Sequence, residues 1–300
     1  MLGLKQSVAR PRVACEITTD RVIAARASEQ GSAVDTFTTR RLPEDAVAPN
    51  LSGPNVQDGA ALRNAIKGAL TAVSGKSRDV VAILPDAAIR VLLLDFEDLP
   101  AKAQESDAVV RFRLKKSLPF DVEEAALSCV VRRNHGSVQV VAAVSPKDVI
   151  MEYEAAFREA GYLPGVILPS SVAALGLVEG RQPSLMLKVD QANITVAAAI
   201  HQELRLIRTL DNPRGASVTP SELAETVLPS IVFFEDTFGA PIELIFVNGV
   251  TSMDEVGPML HEQTGARVEE LAPRMPAAAN LSGDSIQPFM ISGVAGALLG

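Results

Sequence analysis

Apolar positions in the first part of the chain alternate between runs of strand length and one segment with helical spacing. The pattern predicts a three-strand meander over Val13–Ile17, Val22–Ala25 and Ala33–Arg40. It then predicts a helix over Ala60–Val73, whose large apolar residues recur every three or four positions. Asp79–Leu84 follows as a near-continuous apolar run, which is typical of a strand buried on both faces.

The same order of patterns returns in the second part of the chain. Three short strands are predicted over Leu185–Val189, Thr195–Ile200 and Leu204–Thr209, followed by a long helix over Pro220–Phe238 and a buried strand over Ile242–Val247. Two such halves indicate a structural repeat in an α/β protein. The remaining predicted elements of this half are a helix over Met253–Gln263, a short strand over Arg267–Leu271 and a helix over Ile286–Leu299.

Between the halves lies a stretch with a different plan. Ile89–Leu94 is predicted to be the last strand of the first half before a helix, two strands and a helix follow. We assign residues 101–161 to a small inserted α+β subdomain, residues 1–100 and 162–180 to the first lobe, and residues 181–300 to the second. The inserted elements are predicted over Gln104–Lys116, Ala125–Arg132, Val138–Val144 and Lys147–Ala160.

Charge and composition exclude some classes of function. The 300 residues are 47% hydrophobic and carry a formal net charge of -8, whereas a protein that coats nucleic acid is usually basic. The longest apolar runs are of strand length, so no membrane span is expected. The N-terminal stretch lacks an apolar signal core, and the two cysteines have no ligand spacing. We therefore expect a cytoplasmic protein with reduced thiols and no metal.

One segment carries a family resemblance. Arg111–Asp121 is a basic helix that ends in Leu118-Pro119-Phe120, followed by acidic residues and a strand. Together with the two repeated halves, this segment resembles the type IV pilus assembly protein PilM. It is also similar to the cell-division protein FtsA and to the cytoplasmic part of the type II secretion protein L. The resemblance covers nearly the whole chain and implies an actin-like (ribonuclease H-like) two-lobed fold with an inserted subdomain.

The resemblance places nucleotide-binding motifs on this sequence, but their glycines are replaced. In the first phosphate loop, Glu16 stands where an aspartate is usual and Thr18 stands where glycine is usual, followed by Thr19. Glycine is needed where backbone approaches a phosphate closely, often with positive φ, and β-branched threonine resists both demands.

The other two motifs are also incomplete. The second phosphate loop keeps Asp190 and Thr195, but Ala192 replaces its glycine, and the adenosine-side motif keeps only one of two glycines. That third motif is Asn248, Gly249 and Thr251. We expect a degenerate site with no catalytic residues and no cofactor; binding of ATP with magnesium is disfavoured.

The basic helix is the predicted binding site for a partner. In the PilM family the N-terminal cytoplasmic tail of the bitopic membrane protein PilN docks in a groove between the first lobe and the inserted subdomain. The resemblance assigns this role to Arg111, Arg113, Lys115, Leu118 and Pro119. A solvated basic face, with the Leu-Pro-Phe step packing the subdomain onto the core, is the alternative.

The predicted function is a scaffold or adaptor at the inner face of a bacterial inner membrane, attached there through its partner. The alternatives are an actin-like ATPase that tolerates altered loops and the cytoplasmic domain of a type II secretion L-type protein. Self-association stays open, because actin-like proteins can form filaments.

Overall fold

The structure is a computed structural model that describes residues 10–134, 136–273, 280–281 and 287–300. The strands are β1 Val13–Ile17, β2 Arg21–Ala27, β3 Val34–Arg41, β4 Asp79–Leu84, β5 Arg90–Phe96, β6 Ala125–Asn134, β7 Ser137–Pro146, β8 Leu163–Pro169, β9 Ser184–Val189, β10 Asn193–Ile200, β11 Glu203–Asp211, β12 Leu244–Asn248, β13 Arg267–Glu270 and β14 Asn280–Leu281. The helices are α1 Gly59–Val73, α2 Ala103–Leu114, α3 Lys147–Glu159, α4 Ser170–Ala174, α5 Pro220–Phe238, α6 Met253–Thr264 and α7 Ser292–Leu299.

The first lobe is a six-stranded sheet in the order β14-β3-β2-β1-β4-β8. β1 pairs antiparallel with β2 and parallel with β4, and all five of its residues are buried because helices cover both faces of the sheet. On one face, Cys15 and Ile17 pack with Leu62 and Ile66 of α1. On the other face, Ala14 packs with residues of α7.

The second lobe repeats this plan. Its sheet has the order β11-β10-β9-β12-β13, so the meander β9-β10-β11 and the parallel strand β12 match β1-β2-β3 and β4. Helices α5 and α6 cover one face, with Phe234 and Leu260 in its core. A capping box between Thr219 and Glu222 starts α5, and Gly239 ends it at φ 64°. The predicted repeat is confirmed.

The inserted unit has different limits from the predicted ones. β5 forms one edge of a three-stranded sheet, β5-β7-β6, because its residues 90–96 pair antiparallel with β7. Helix α3 instead packs on the first lobe, where Tyr153 and Phe157 are fully buried in the α1 core. By hydrogen bonding and packing, the insert therefore runs from Arg90 to Pro146 rather than from residue 101 to 161.

The C-terminal segment also departs from its predicted lobe. The sequence pattern predicts that residues 181–300 form the second lobe, but β14 pairs with β3 and α7 packs on the first lobe. Val294 and Leu298 enter that core, and a β-carbon on Gly296 would lie 2.1 Å from the carbonyl oxygen of Ala173. The helix predicted from residue 286 begins at Ser292 after a 3-10 turn over 288–291, and residue 286 itself lies outside the described residues.

The three units meet in one apolar cluster. Val91 of β5, Ala174 of α4 and Ile207 of β11 pack together with Met186 and Ala197 from the second sheet. Arg132 of the insert pairs with Glu203 of the second lobe at 3.3 Å. The insert thus rests against the second lobe as well as continuing from the first, and the ends of β1, β4, β9 and β12 face each other across a cleft.

Candidate functional site

A cavity of about 200 Å³ lies in this cleft between the lobes. It is lined by the turns that follow β1, β4, β9 and β12, as expected when parallel strands of two matching sheets end at one place. The structure brings together most of the predicted nucleotide-site positions here: Glu16, Thr18, Thr19, Asp190, Ala192, Asn248 and Gly249. Thr195 lies just beneath them, whereas Thr251 lines a neighbouring pocket that shares Gly249.

Side-chain hydrogen bonds hold both phosphate-loop turns. The hydroxyl of Thr18 lies 2.8 Å from Oδ1 of Asp20 and accepts a hydrogen bond from the backbone N–H of Arg21 at 3.1 Å. The side chain of Asn212 donates to the carbonyl of Asp190 at 2.8 Å, behind the second turn. Neither Thr18 nor Ala192 is among the described non-glycine residues with positive φ. These turns therefore lack the left-handed backbone that a glycine phosphate loop uses.

Glu16 is fully buried at the end of β1. Its Oε1 accepts a hydrogen bond from the hydroxyl of Ser170, and a β-carbon on Gly293 would lie 2.3 Å from Oε2. The carboxylate is therefore pressed between α4 and the first turn of α7. Burial raises the pKa of Glu16 to about 7, although the charge of Lys188 and the Ser170 hydrogen bond act in the opposite direction.

Asp86 is a buried carboxylate in the turn after β4. Its Oδ1 accepts hydrogen bonds from the backbone N–H and the hydroxyl of Ser171, both at 2.9 Å. Its Oδ2 accepts a hydrogen bond from the hydroxyl of Thr195 at 3.3 Å and lies 3.8 Å from Nζ of Lys188. Burial raises the pKa of Asp86 against the opposing charge of Lys188.

Lys188 supplies the positive charge of this cluster. It lies on β9, its side chain is 5% exposed, and its ammonium donates to Oδ2 of Asp190. Burial alone would lower the pKa of Lys188, but the charges of Asp190, Asp86 and Glu16 outweigh burial and raise it. The pairing with these carboxylates therefore favours the charged form of the ammonium.

Lys188 belongs to a polar row that crosses three strands. In register, it stands beside Thr195 of β10 on one side and Asn248 of β12 on the other. The side-chain amide of Asn248 donates to the hydroxyl of Ser292 and to the carbonyl of Phe289, both at 2.9 Å. Gly249 has φ 84°, and a β-carbon there would lie 2.0 Å from the carbonyl oxygen of Val189. The adenosine-side motif thus fastens the second lobe to the C-terminal segment.

The lining of the cavity is acidic. Its lining carries four carboxyl groups, Glu16, Asp20, Asp86 and Asp190, against two cations, Arg21 and Lys188. Both cations are already paired, since Arg21 binds Asp20 at 2.5 Å and Lys188 binds Asp190. Across the described residues, no group of three or more histidine, cysteine, aspartate or glutamate side chains is placed to hold a metal ion.

The fold has close counterparts among solved structures, although no family model and no curated protein matches the sequence. A chain of the PilM-PilN type IV pilus biogenesis complex matches with a TM-score of 0.77 at 18% identity, over 96% of each chain. The protein has a PilM-like, actin-like fold. The cytoplasmic domain of EpsL, an inner-membrane component of the type II secretion system of Vibrio cholerae, matches with a TM-score of 0.54 at 10% identity, over 96% of this chain and 94% of that domain.

A more distant match shows how widely this architecture is shared. The ethanolamine utilization protein EutJ from Carboxydothermus hydrogenoformans has a TM-score of 0.50 at 8% identity, over 96% of this chain and 89% of that one. The predicted two-lobed α/β fold with an insertion is confirmed. Within the described part of this PilM-like fold, none of the helices is long and apolar enough to cross a bilayer.

The predicted partner-binding residues divide into two groups. Arg113, Lys115 and Pro119 are exposed at the end of α2 and in the turn that follows. Leu118 is half-buried against the core of the insert. Arg111 is 18% exposed, and its guanidinium donates to the carbonyl oxygens of Val122 and Ala125 as well as to Asp107. Its donors therefore hold the insert together instead of pointing to solvent.

Two exposed apolar side chains beside these residues were missed. Phe112 is 77% exposed and Val109 is 37% exposed, on the same face of α2 as Arg113. A period of 3.6 residues places Val109, Phe112 and Arg113 together, so the helical pattern contained this signal. We call Val109, Phe112, Arg113, Lys115 and Pro119 the α2 surface.

The cleft also holds residues that the motifs did not point to. Ser170, Asp86 and Ser292 bond Glu16, Thr195 and Asn248 respectively, and Ser171 and Lys188 in turn contact Asp86. One signal was available, because Lys188 is the only charged residue in the buried strand Ser184–Val189. A charge in a fully buried strand requires a partner, which indicates a site.

Proposed function

We propose that this protein is a non-catalytic adaptor of a type IV pilus or related secretion machine and binds the cytoplasmic tail of a PilN-like membrane protein. The observation that carries the proposal is the likeness to a chain of the PilM-PilN complex over 96% of both chains. In this role the protein lies in the cytoplasm at the inner membrane, where its partner holds it.

The α2 surface is the docking site that we propose for the tail. The side chain of Phe112 is 77% exposed, so most of its apolar area is in contact with water, and its burial by a partner is favourable. Arg113 and Lys115 flank Phe112 with positive charge on a protein of net charge -8. An apolar anchor beside two cations suits a peptide with apolar and acidic or carbonyl groups.

The binding test is calorimetric titration with a synthetic peptide of the N-terminal cytoplasmic tail of the PilN-like protein from the same genome. We expect binding at micromolar concentration, and Phe112→Ala should weaken it by about tenfold, since an interface anchor contributes more than about 1 kcal/mol. Val232→Ala is the matched control, because Val232 is also apolar and is 53% exposed, but lies on α5 of the second lobe.

The outcomes of this titration test the adaptor role and the proposed docking site separately. No binding of the wild-type protein at high micromolar peptide refutes the adaptor proposal. Binding that Phe112→Ala leaves unchanged refutes the α2 surface but leaves the adaptor role in place.

The cleft, in this proposal, does not work as an ATPase site. Its two phosphate-loop turns lack glycine, its two cations are paired, and its cavity of about 200 Å³ is small beside the roughly 300–1,000 Å³ of ordinary ligand pockets. A thermal-shift assay with ATP and magnesium tests this, because a ligand at a hundredfold its Kd stabilises a fold by about 2.7 kcal/mol. We expect no rise in Tm; a clear rise favours the alternative of an actin-like ATP-binding protein.

The type II secretion L-type domain remains the second candidate, supported by the likeness to the EpsL cytoplasmic domain. The same titration can be done with a peptide from the cytoplasmic segment of a membrane protein that is the partner of an L-type protein in a type II secretion system. Binding of this peptide in preference to the PilN-like tail would favour the type II secretion role.

A further inference from the structure

A single carboxylate in the cleft is shared between the two lobes. Oδ1 of Asp86 is held within the first lobe by Ser171, through two hydrogen bonds of 2.9 Å. Oδ2 of Asp86 faces the second lobe, where Thr195 donates to it at 3.3 Å and Lys188 lies 3.8 Å away. Each oxygen is therefore committed to a different lobe.

The ammonium of Lys188 lies among carboxylates from both lobes. It pairs with Asp190 of its own lobe and with Asp86 of the other, and its charge also acts to lower the pKa of Glu16. A buried carboxylate is stable only when it is paired or protonated. Lys188 supplies that pairing from within the chain.

A second polar tie crosses the cleft beside the first. Asn248 of the second lobe donates to Ser292 and Phe289, which belong to the C-terminal segment packed on the first lobe. Thr195, Lys188 and Asn248 are neighbours in one row across β10, β9 and β12. Each of the three side chains of this row makes at least one polar contact with a first-lobe element.

We propose that Asp86 and Lys188, supported by Thr195 and Asn248, form a built-in latch that holds the two lobes closed without any bound ligand. The apolar cluster around Ala174, Met186 and Ile207 keeps the lobes together, and the latch sets their relative orientation, since apolar contact is not directional. The latch deepens the proposed adaptor role, in which the lobes form one fixed surface, but it does not depend on which partner binds.

The test measures the distance between the lobes. Spin labels at Lys67 of α1 and Glu262 of α6, both exposed, report lobe separation by pulsed electron resonance in a Cys129→Ser background. We expect one narrow distance distribution in the wild-type protein, unchanged by ATP with magnesium. In Lys188→Met we expect a distribution at least twice as broad, or a second, longer distance.

A matched control separates the latch from simple loss of a charge pair. Asp86→Asn and Asp190→Asn each remove one carboxylate from Lys188, but only Asp86 belongs to the other lobe. Asp86→Asn should broaden the distribution and Asp190→Asn should leave it narrow. If Lys188→Met does not fold, the Asp86→Asn and Asp190→Asn comparison still decides the question.

Three results overturn the latch. They are a broad distribution in the wild-type protein, a distribution that ATP with magnesium shifts, and equal effects of Asp86→Asn and Asp190→Asn. Peptide titration of the same variants tests the adaptor proposal separately. If the protein binds the tail peptide but shows any of these three results, the adaptor proposal stands and the latch is refuted.

Discussion

Replacing Arg111 tests whether this residue binds a partner or holds the insert together. The guanidinium connects α2 to the segment that enters β6, through the carbonyl oxygens of Val122 and Ala125 and the carboxylate of Asp107. Arg111→Ala removes all of these donors at once. The neighbouring Arg113 is exposed, so Arg113→Ala is the matched control.

The expected loss follows from these contacts. A hydrogen bond from a charged group contributes about 1.5–3 kcal/mol, and an acceptor left without a donor costs about 1–3 kcal/mol where water cannot reach it. The ion pair with the half-exposed Asp107 adds less than about 1 kcal/mol. Because Arg111 is 18% exposed, water replaces part of what is lost. We expect Arg111→Ala to destabilise the insert by about 3 kcal/mol.

Native-state hydrogen exchange of the amides in β6 and β7 measures this directly. A loss of about 3 kcal/mol speeds their exchange by roughly a hundredfold if the insert opens as a unit. Arg111→Lys should exchange at a rate between those of the wild-type protein and Arg111→Ala, since an ammonium lacks the planar, forked geometry by which a guanidinium binds two carbonyls. If Arg111→Ala exchanges no faster than Arg113→Ala, the hydrogen bonds contribute nothing and Arg111 is free for a partner.

Two further outcomes are expected. Gly249→Ala should destabilise the second lobe by about 3 kcal/mol, because alanine would be forced into a left-handed conformation and its β-carbon would lie 2.0 Å from a carbonyl oxygen. The control Gly265→Ala, at φ 72° with open space around it, should destabilise by only about 1 kcal/mol. Equal losses of Tm in the two variants would contradict this. Since the pKa of Glu16 is raised to about 7 in the folded protein, its contribution to stability is full below pH 4.5 and is lost as pH rises through 7. Glu16→Gln should remove that decline in urea-unfolding curves from pH 5 to 8, and an unchanged decline would contradict the shift.

The sequence pattern predicted most of the fold because buried strands and capped helices produce clear patterns of apolar and capping residues. The predicted ranges Asp79–Leu84 and Pro220–Phe238 match the observed limits, since the first is a near-continuous apolar run and the second begins with a capping box and ends at glycine. Limits set by tertiary contacts were wrong. Arg90–Phe96 reads the same as a strand whichever sheet it joins, and only its pairing with β7 places it in the insert.

The candidate site was predicted in part for a similar reason. Motif positions such as Asp190 and Gly249 could be found because they follow predicted strands in order. Asp86 and Lys188 are 102 positions apart in the chain and meet only when the lobes close, so no local pattern joins them. Arg111 shows the opposite failure, since a basic helix gives no sign that one of its cations turns inward to backbone carbonyls.

The return of α7 to the first lobe has a consequence for how this chain folds as it is made. The second lobe is contiguous, because residues 184–270 supply its whole sheet, and it can fold as soon as it leaves the ribosome. The first lobe emerges earlier but waits, since Ile291, Val294 and Leu298 fill its core. Until those residues arrive, β1 and β2 present an uncovered apolar face. The half that is synthesised first is therefore the half that is completed last, and a released chain truncated before residue 291 should have a complete second sheet beside a first lobe that lacks α7.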